Sequence, residues 1–344
     1  MKTLLDPINK NIPMKTLLNP MLRLLATVAV PFLLWTATAS AQFFYVTTGT
    51  SGVVNKVSST GTLLPDLISY GPGAHVQGIA AATNGDIYVS VLKSGTATVN
   101  QVTPGGVSTV FATLPDQVLS LAFNSTGDLY GVSAAGGPSG GHDIGIITGG
   151  GFSAISITGA PFAPLFSAQD LAFDNIGNLF VSNNAAGGVY ANSVVKLAPS
   201  IATPGSWDSS QFADTAGFNA FGLAIDGSGN VFVSSTVVSS ATPIRKYLSD
   251  GTLTAFNVSG GNFLSARGLE LANGSLYEAD FSFNLLNEID PTTGVATNFV
   301  SGLGVQATYI AYSPVPEPSQ VALIVLGGMV LMGTMRRNRQ PRTC

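Results

Sequence analysis

The chain has 344 residues, of which 45% are apolar and only 9% charged, with 40 glycines, 19 prolines and a single cysteine. That composition excludes a disordered chain and a disulfide-stapled miniprotein, and belongs to a glycine-rich β domain with an ample packed core. The formal charge is −4 overall, but 16 acidic residues face six basic ones between positions 42 and 313, about −10 for that stretch. A surface so acidic excludes binding of nucleic acid or anionic polymers through charge.

The N-terminus carries Lys2, Lys10, Lys15 and Arg23, then an apolar run over 24–35, then Ala39-Ser40-Ala41. A basic region, an apolar core and a small-x-small site predict a signal peptide over 1–41, handled by the Sec machinery and cut by signal peptidase at Ala39 and Ala41. Met-Lys-Thr-Leu-Leu occurs at Met1 and again at Met14. A start at Met14 gives a leader within the usual length of about 15–30 residues.

From 42 to 313 one unit recurs. Its cleanest copy, 221–234, reads Phe-Gly-Leu-Ala-Ile-Asp-Gly-Ser-Gly-Asn-Val-Phe-Val-Ser. Two short runs of strand-forming residues flank a turn in which Asp226 accepts backbone hydrogen bonds and Gly229 takes a positive φ. The same grammar appears at 78–90, 120–132, 170–182 and 268–279, with turn glycines at Gly85, Gly127, Gly177, Gly229 and Gly274. Spacings of 42, 50, 52 and 45 residues are those of four-stranded propeller blades. Second halves are visible at 55–63, 100–108, 245–253 and 287–295, which predicts third and fourth strands there. The end of the domain, Tyr309 to Ser313, matches the first strand of the unit, and Phe44-Tyr45-Val46 matches its second. The expected fold is therefore an all-β, six-bladed β-propeller with one blade shared between the termini of the domain.

An alanine recurs in the innermost strands as Ala80, Ala122, Ala172, Ala224 and Ala311, where small side chains suit crowding at the axis; Glu270 takes that place in the remaining copy. The repeated pattern G-[IL]-A-x-D-x-x-G-N-x-[FY]-V resembles NHL-repeat propellers and their relatives in the gluconolactonase and streptogramin-lyase superfamily. That resemblance implies a ligand site at the channel mouth where the innermost strands begin. The candidates there are His75, Gln77, His142, Gln169, Asp170, Arg267 and Glu270. Lactonase-like relatives place a divalent cation on carboxylate and amide side chains at this mouth. Asp170 and Glu270 are the only carboxylates of the ring, and Arg267 stands ready to neutralise either, so a structural ion pair or polar plug is expected rather than a metal or other cofactor, and no residue is assigned a catalytic role. Trp207 is expected to pack against its own blade.

After Ser313 the character changes. Val315-Pro316-Glu317-Pro318-Ser319 precedes an apolar segment over 321–335 and then Arg336, Arg337, Arg339 and Arg342. This resembles the PEP-CTERM sorting signal of Gram-negative bacteria, read at Pro316, Glu317 and Pro318 by an exosortase. Fifteen apolar residues make about 22 Å of helix, and the flanking arginines extend its reach by snorkelling. The resemblance implies an exported protein, anchored transiently in the inner membrane over 314–344 and then delivered to the outer envelope or the extracellular polysaccharide. Two functions follow as alternatives: a non-catalytic binding or matrix protein with polysaccharide or an envelope protein as partner, or a metal-dependent lactonase-like hydrolase or lyase.

Overall fold

The computed structural model describes residues 42–134, 142–158, 167–185, 190–237 and 242–313. The predicted signal peptide and the predicted sorting segment lie outside the described residues. The rest forms six antiparallel sheets, each with its innermost strand at one edge, arranged as the blades of a propeller.

Blade 1 joins the two ends of the domain: β25 (Ala307–Ser313) lies innermost, followed by β1 (Phe43–Thr48), β2 (Val53–Ser58) and β3 (Leu63–Ser69). Phe43 faces Ser313 and Val46 faces Ile310, the shared blade that the repeat predicts. Blade 2 is β4 (Ala74–Ala81), β5 (Ile87–Lys93), β6 (Thr96–Val102) and β7 (Ser108–Leu114). Blade 3 is β8 (Val118–Phe123), β9 (Leu129–Ser133), β10 (Ile144–Thr148) and β11 (Gly151–Ala154). Blade 4 comprises β13 (Ala168–Phe173), β14 (Leu179–Asn183), β15 (Ser193–Pro199) and β16 (Ser206–Asp214), and gains a fifth strand, β12 (Ser156–Thr158), which pairs in parallel with β16. Blade 5 has three strands, β17 (Ala220–Ile225), β18 (Val231–Ser235) and β19 (Ile244–Tyr247). Blade 6 runs β21 (Ala266–Ala272), β22 (Ser275–Asp280), β23 (Leu285–Ile289) and β24 (Val295–Ser301), again with a parallel fifth strand, β20 (Ser259–Gly260).

The repeat predicts a fourth strand in blade 5, and the structure corrects this. Residues after Tyr247 turn back for one bridge, Tyr247 to Leu253, and one amide bond from Thr254 to the Lys246 carbonyl. The chain then leaves to lay β20 on blade 6. A linker that supplies a strand to its neighbour is unavailable to its own blade.

The turns form as their residues dictate. Asp226 Oδ1 accepts from the amides of Ser228 and Asn230, and Gly229 sits at φ 80°. Between blades the strand faces pack as hydrophobic layers. The seam between blades 6 and 1 is aromatic, with the Phe44 ring 4.3 Å from Tyr277, 5.0 Å from Tyr312 and 5.5 Å from Phe299. Trp207 stacks edge-on against Tyr130 of blade 3, 6.1 Å away, and lies 6.4 Å from Phe173. It therefore packs against its own blade through Phe173, as expected, and against the neighbouring blade through Tyr130.

Candidate functional site: the central channel

Each innermost strand is broken by a β-bulge near its start. The register slips at Gln77-Gly78, Leu119, Gln169, Phe221-Gly222, Arg267-Gly268 and Thr308-Tyr309. A bulge sharpens the local twist and re-aims a side chain. Here it turns a ring of residues toward the neighbouring blade. At the tier formed by Gly78, Ser120, Asp170, Gly222, Gly268 and Tyr309 the strands come very close. A Cβ on Gly222 would lie 2.0 Å from the Arg267 carbonyl oxygen, and one on Gly268 would lie 2.6 Å from that of Thr308.

The three side chains at this tier fasten blades together. Ser120 Oγ donates to Asp170 Oδ1, the Leu171 amide donates to the same oxygen at 2.9 Å, and the Leu223 amide donates to Asp170 Oδ2 at 2.8 Å. Asp170 thereby clasps blades 3, 4 and 5. Hydroxyls on the second strands continue the chain: Ser182 accepts from the Asp170 amide and donates to the Phe221 carbonyl at 2.5 Å, while Ser234 accepts from the Gly222 amide and donates to the Arg267 carbonyl. Tyr309 does something different. Its hydroxyl reaches across the axis from blade 1 to blade 4 and donates to the Gln169 carbonyl at 2.8 Å.

Tyr309 also leans on Phe221, with centroids 5.6 Å apart. The Arg267 guanidinium lies 3.5 Å over the Phe281 ring and 5.0 Å from Phe221, an arrangement in which ring quadrupoles hold the cation. Arg267 was expected to pair with Asp170 or Glu270. The structure places it on aromatic rings instead, because the bulge at Arg267-Gly268 turns the side chain toward Phe221 and Phe281. Its Nε finds no partner among the described residues, and burial lowers its basicity while Tyr309 and Asp280 raise it. Tyr309, Phe221 and Arg267 together plug the strand-start end of the channel.

Below the plug lies a cavity of about 310 Å³, bounded by Ser120, Asp170 and Tyr309 at one end and by Phe123, Phe173 and Tyr312 at the turn end. Of the predicted site residues, Asp170 and Glu270 line it; His75, Gln77, His142, Gln169 and Arg267 do not. His75 is exposed on β4, and Gln77 is half-buried in its bulge. His142 Nδ1 donates to the Ala168 carbonyl at 2.6 Å, and Gln169 bonds back to Ser167. Burial pushes the Asp170 carboxyl up to about 6 against the pull of its three donors. Burial and the charge of Asp170 push Glu270 up to about 8, with the Tyr312 amide opposing.

The donor set does not fit a divalent cation. Both Asp170 oxygens are taken by the fold's own donors, and among the described residues no group of three or more His, Cys, Asp or Glu side chains gathers as a metal site requires.

Sequence reasoning missed a second polar centre, in blade 6. Glu278 is fully buried; its Oε2 accepts from Asn287 Nδ2 at 2.8 Å and its Oε1 has no partner among the described residues. Burial and the neighbouring Asp280 hold its carboxyl well above the usual range. Asp280 beside it accepts four backbone amides, those of Leu264, Ser265, Ser282 and Phe283. The signal was an acid at each of two alternate positions, Glu278 and Asp280, in a strand that otherwise reads Ser275, Leu276, Tyr277 and Ala279.

No family model matches the chain, and no curated protein matches it. Solved structures do. The chain is similar to virginiamycin B lyase from Staphylococcus aureus (TM-score 0.52, 12% identity, 75% of this chain and 84% of that one). It is similar also to a gluconolactonase from Xanthomonas campestris (TM-score 0.52, 15% identity, 71% and 84%) and to a chain of a nidogen/laminin complex (TM-score 0.60, 11% identity, 79% and 98%). The fold these structures share with the chain is the β-propeller. At these identities the likeness establishes architecture, and the chemistry must be argued from the channel.

Proposed function

We propose that the chain is an exported, non-catalytic binding or matrix propeller, sorted by a PEP-CTERM signal to the cell envelope or the extracellular polysaccharide. The observation that carries this reading is the state of Asp170: the carboxylate best placed to serve a metal or a reaction is spent on holding three blades together. The six bulged strand starts and the loops around them, with His75, Gln77, His142 and Arg267, form the face offered to a partner, and polysaccharide or another envelope protein is the class of partner. The same architecture occurs in a nidogen/laminin complex, so the fold has a use in assembly as well as in lactonases and lyases.

The rival reading is a metal-dependent lactonase-like hydrolase or lyase acting at Asp170 and Glu270. Titration with calcium and magnesium, followed by thermal melting of the full-length chain, separates the two, since any ion bound by the folded state alone raises the melting point by mass action. The binding reading expects no rise; a saturable rise lost on Asp170→Asn overturns it. A glycan array on the same protein tests the partner. Intact mass from cells with a working sorting system tests processing: loss of Cys344 and the arginines is expected, and replacement of Pro316, Glu317 and Pro318 by alanines retains the full-length form in the inner membrane. An unaltered C-terminus in the wild type would mean a permanent anchor.

A further inference from the structure

Five of the six inner strands place alanine at one tier of the channel, and the sixth places Glu270 there. A carboxyl enclosed by protein is costly, and an alanine already fits this position five times, so the departure calls for a gain elsewhere. Glu270 is surrounded by the fold and yet reached by solvent, as a side chain lining an open channel must be. The charges around it are of one kind. Asp170 from β13 and the phenols of Tyr309 and Tyr312 from β25 are the other ionisable groups of the lining, and among the described residues no Lys, Arg or His lines the cavity.

We propose that the channel below the Tyr309 plug is a binding site for a small organic ammonium ion, entered from the turn face and held by the Glu270 carboxylate. Entry is from the turn face because the Tyr309 hydroxyl, bonded across the axis to Gln169, closes the other end. The ammonium group sits at Glu270 because Asp170 already accepts from Ser120, Leu171 and Leu223, which leaves Glu270 as the carboxylate with acceptor sites open to the channel. It carries N–H donors because a carboxylate only accepts hydrogen bonds, and the edge strands around the channel offer backbone carbonyls as further acceptors. An anion is repelled by Asp170. A cavity of about 310 Å³ holds an alkylammonium of a few carbons with its water.

Binding must ionise Glu270, so it releases a proton wherever the free protein holds Glu270 neutral. Affinity therefore rises with pH up to about 8 and is level above it. This site stands apart from the partner face proposed above, and the two can fail separately.

The test uses n-butylammonium chloride and the full-length chain, by calorimetry between pH 6 and 9 in buffers of different ionisation enthalpy. Expected are saturable binding with proton release below pH 8, an affinity that climbs up to about tenfold per pH unit toward 8, and loss of binding in both Glu270→Ala and the near-isosteric Glu270→Gln. Glu270→Ala, which completes the alanine ring, is also expected to melt above the ligand-free wild type at pH 8. The inference is overturned if butylammonium fails to bind at every pH, if it binds Glu270→Ala and Glu270→Gln as tightly as the wild type, or if calcium or magnesium takes the Glu270-dependent site instead. Glycan binding that persists in Glu270→Ala leaves the partner-face reading intact whatever the amine does.

Discussion

Two tiers of the channel, only two residues apart along the same six strands, are built on opposite principles. The upper tier, Gly78, Ser120, Asp170, Gly222, Gly268 and Tyr309, is chemically mixed, yet its side chains are fastened to another blade and its glycines leave no room for a side chain. The lower tier is uniform alanine except for Glu270, whose carboxyl takes the backbone amide of Tyr312 in blade 1 while the alanines form no hydrogen bond through their side chains. Where strands approach to backbone contact, geometry dictates each residue singly. Where they diverge, only size matters, and a departure is free to serve something other than the fold.

The sharpest way to break the comparison is Gly222→Ala. The added methyl would meet the Arg267 carbonyl at 2.0 Å, and neither backbone can retreat without reopening a bulge, so the variant is expected to be recovered unfolded or aggregated. A soluble Gly222→Ala with a wild-type melt would mean that the upper tier is looser than described. Next in size is Asp170→Ala, which strips the acceptor from two buried amides and the Ser120 hydroxyl; urea unfolding should show a loss of about 2–4 kcal/mol. A variant as stable as the wild type would remove Asp170 from its role as the clasp of blades 3 to 5.

The lower tier is tested by pH. Carboxyls raised by burial are bound to protons in the folded chain while already ionised in the unfolded one, so folding stability falls as pH climbs from the unfolded values to the folded ones. For Asp170 the fall is complete by about pH 6, and for Glu270 by about pH 8. Subtracting the Glu270→Ala profile from that of the wild type therefore isolates a decline between about pH 4.5 and 8 with a plateau beyond. A flat difference would place Glu270 in bulk solvent. The smallest expected effect is Tyr309→Phe, which forfeits one hydroxyl bond and keeps the stacked ring: about 1 kcal/mol, read by thermal melting. A larger loss would make the bond across the axis a main support of the ring.

Periodicity disclosed the blades because turn chemistry is local. Gly85, Gly127, Gly177, Gly229 and Gly274 all take the positive φ that their places in the repeat demanded, and the pairing of the domain's last strand with its first followed from counting strands. What stayed hidden was donated or redirected. β12 and β20 come from linkers without alternation, and the parallel pairing of Ser156–Thr158 and Ser259–Gly260 depends on where the next blade's edge happens to pass. Arg267 looked like a counter-ion because sequence shows its charge and not the bulge that turns it onto Phe281. Tyr309 stood in plain alignment with Asp170, but its partner lies half a ring away, a distance that no repeat unit encodes.

The shared blade also sets a timetable. β1 has its inner neighbour only in β25, so the first strand of the domain waits for its last, some 270 residues later. The plug obeys the same clock, since Tyr309 belongs to that final strand. A ribosome-bound intermediate lacking β25 has five blades that hold their own innermost strands and one that does not, a ring kept open until that strand emerges.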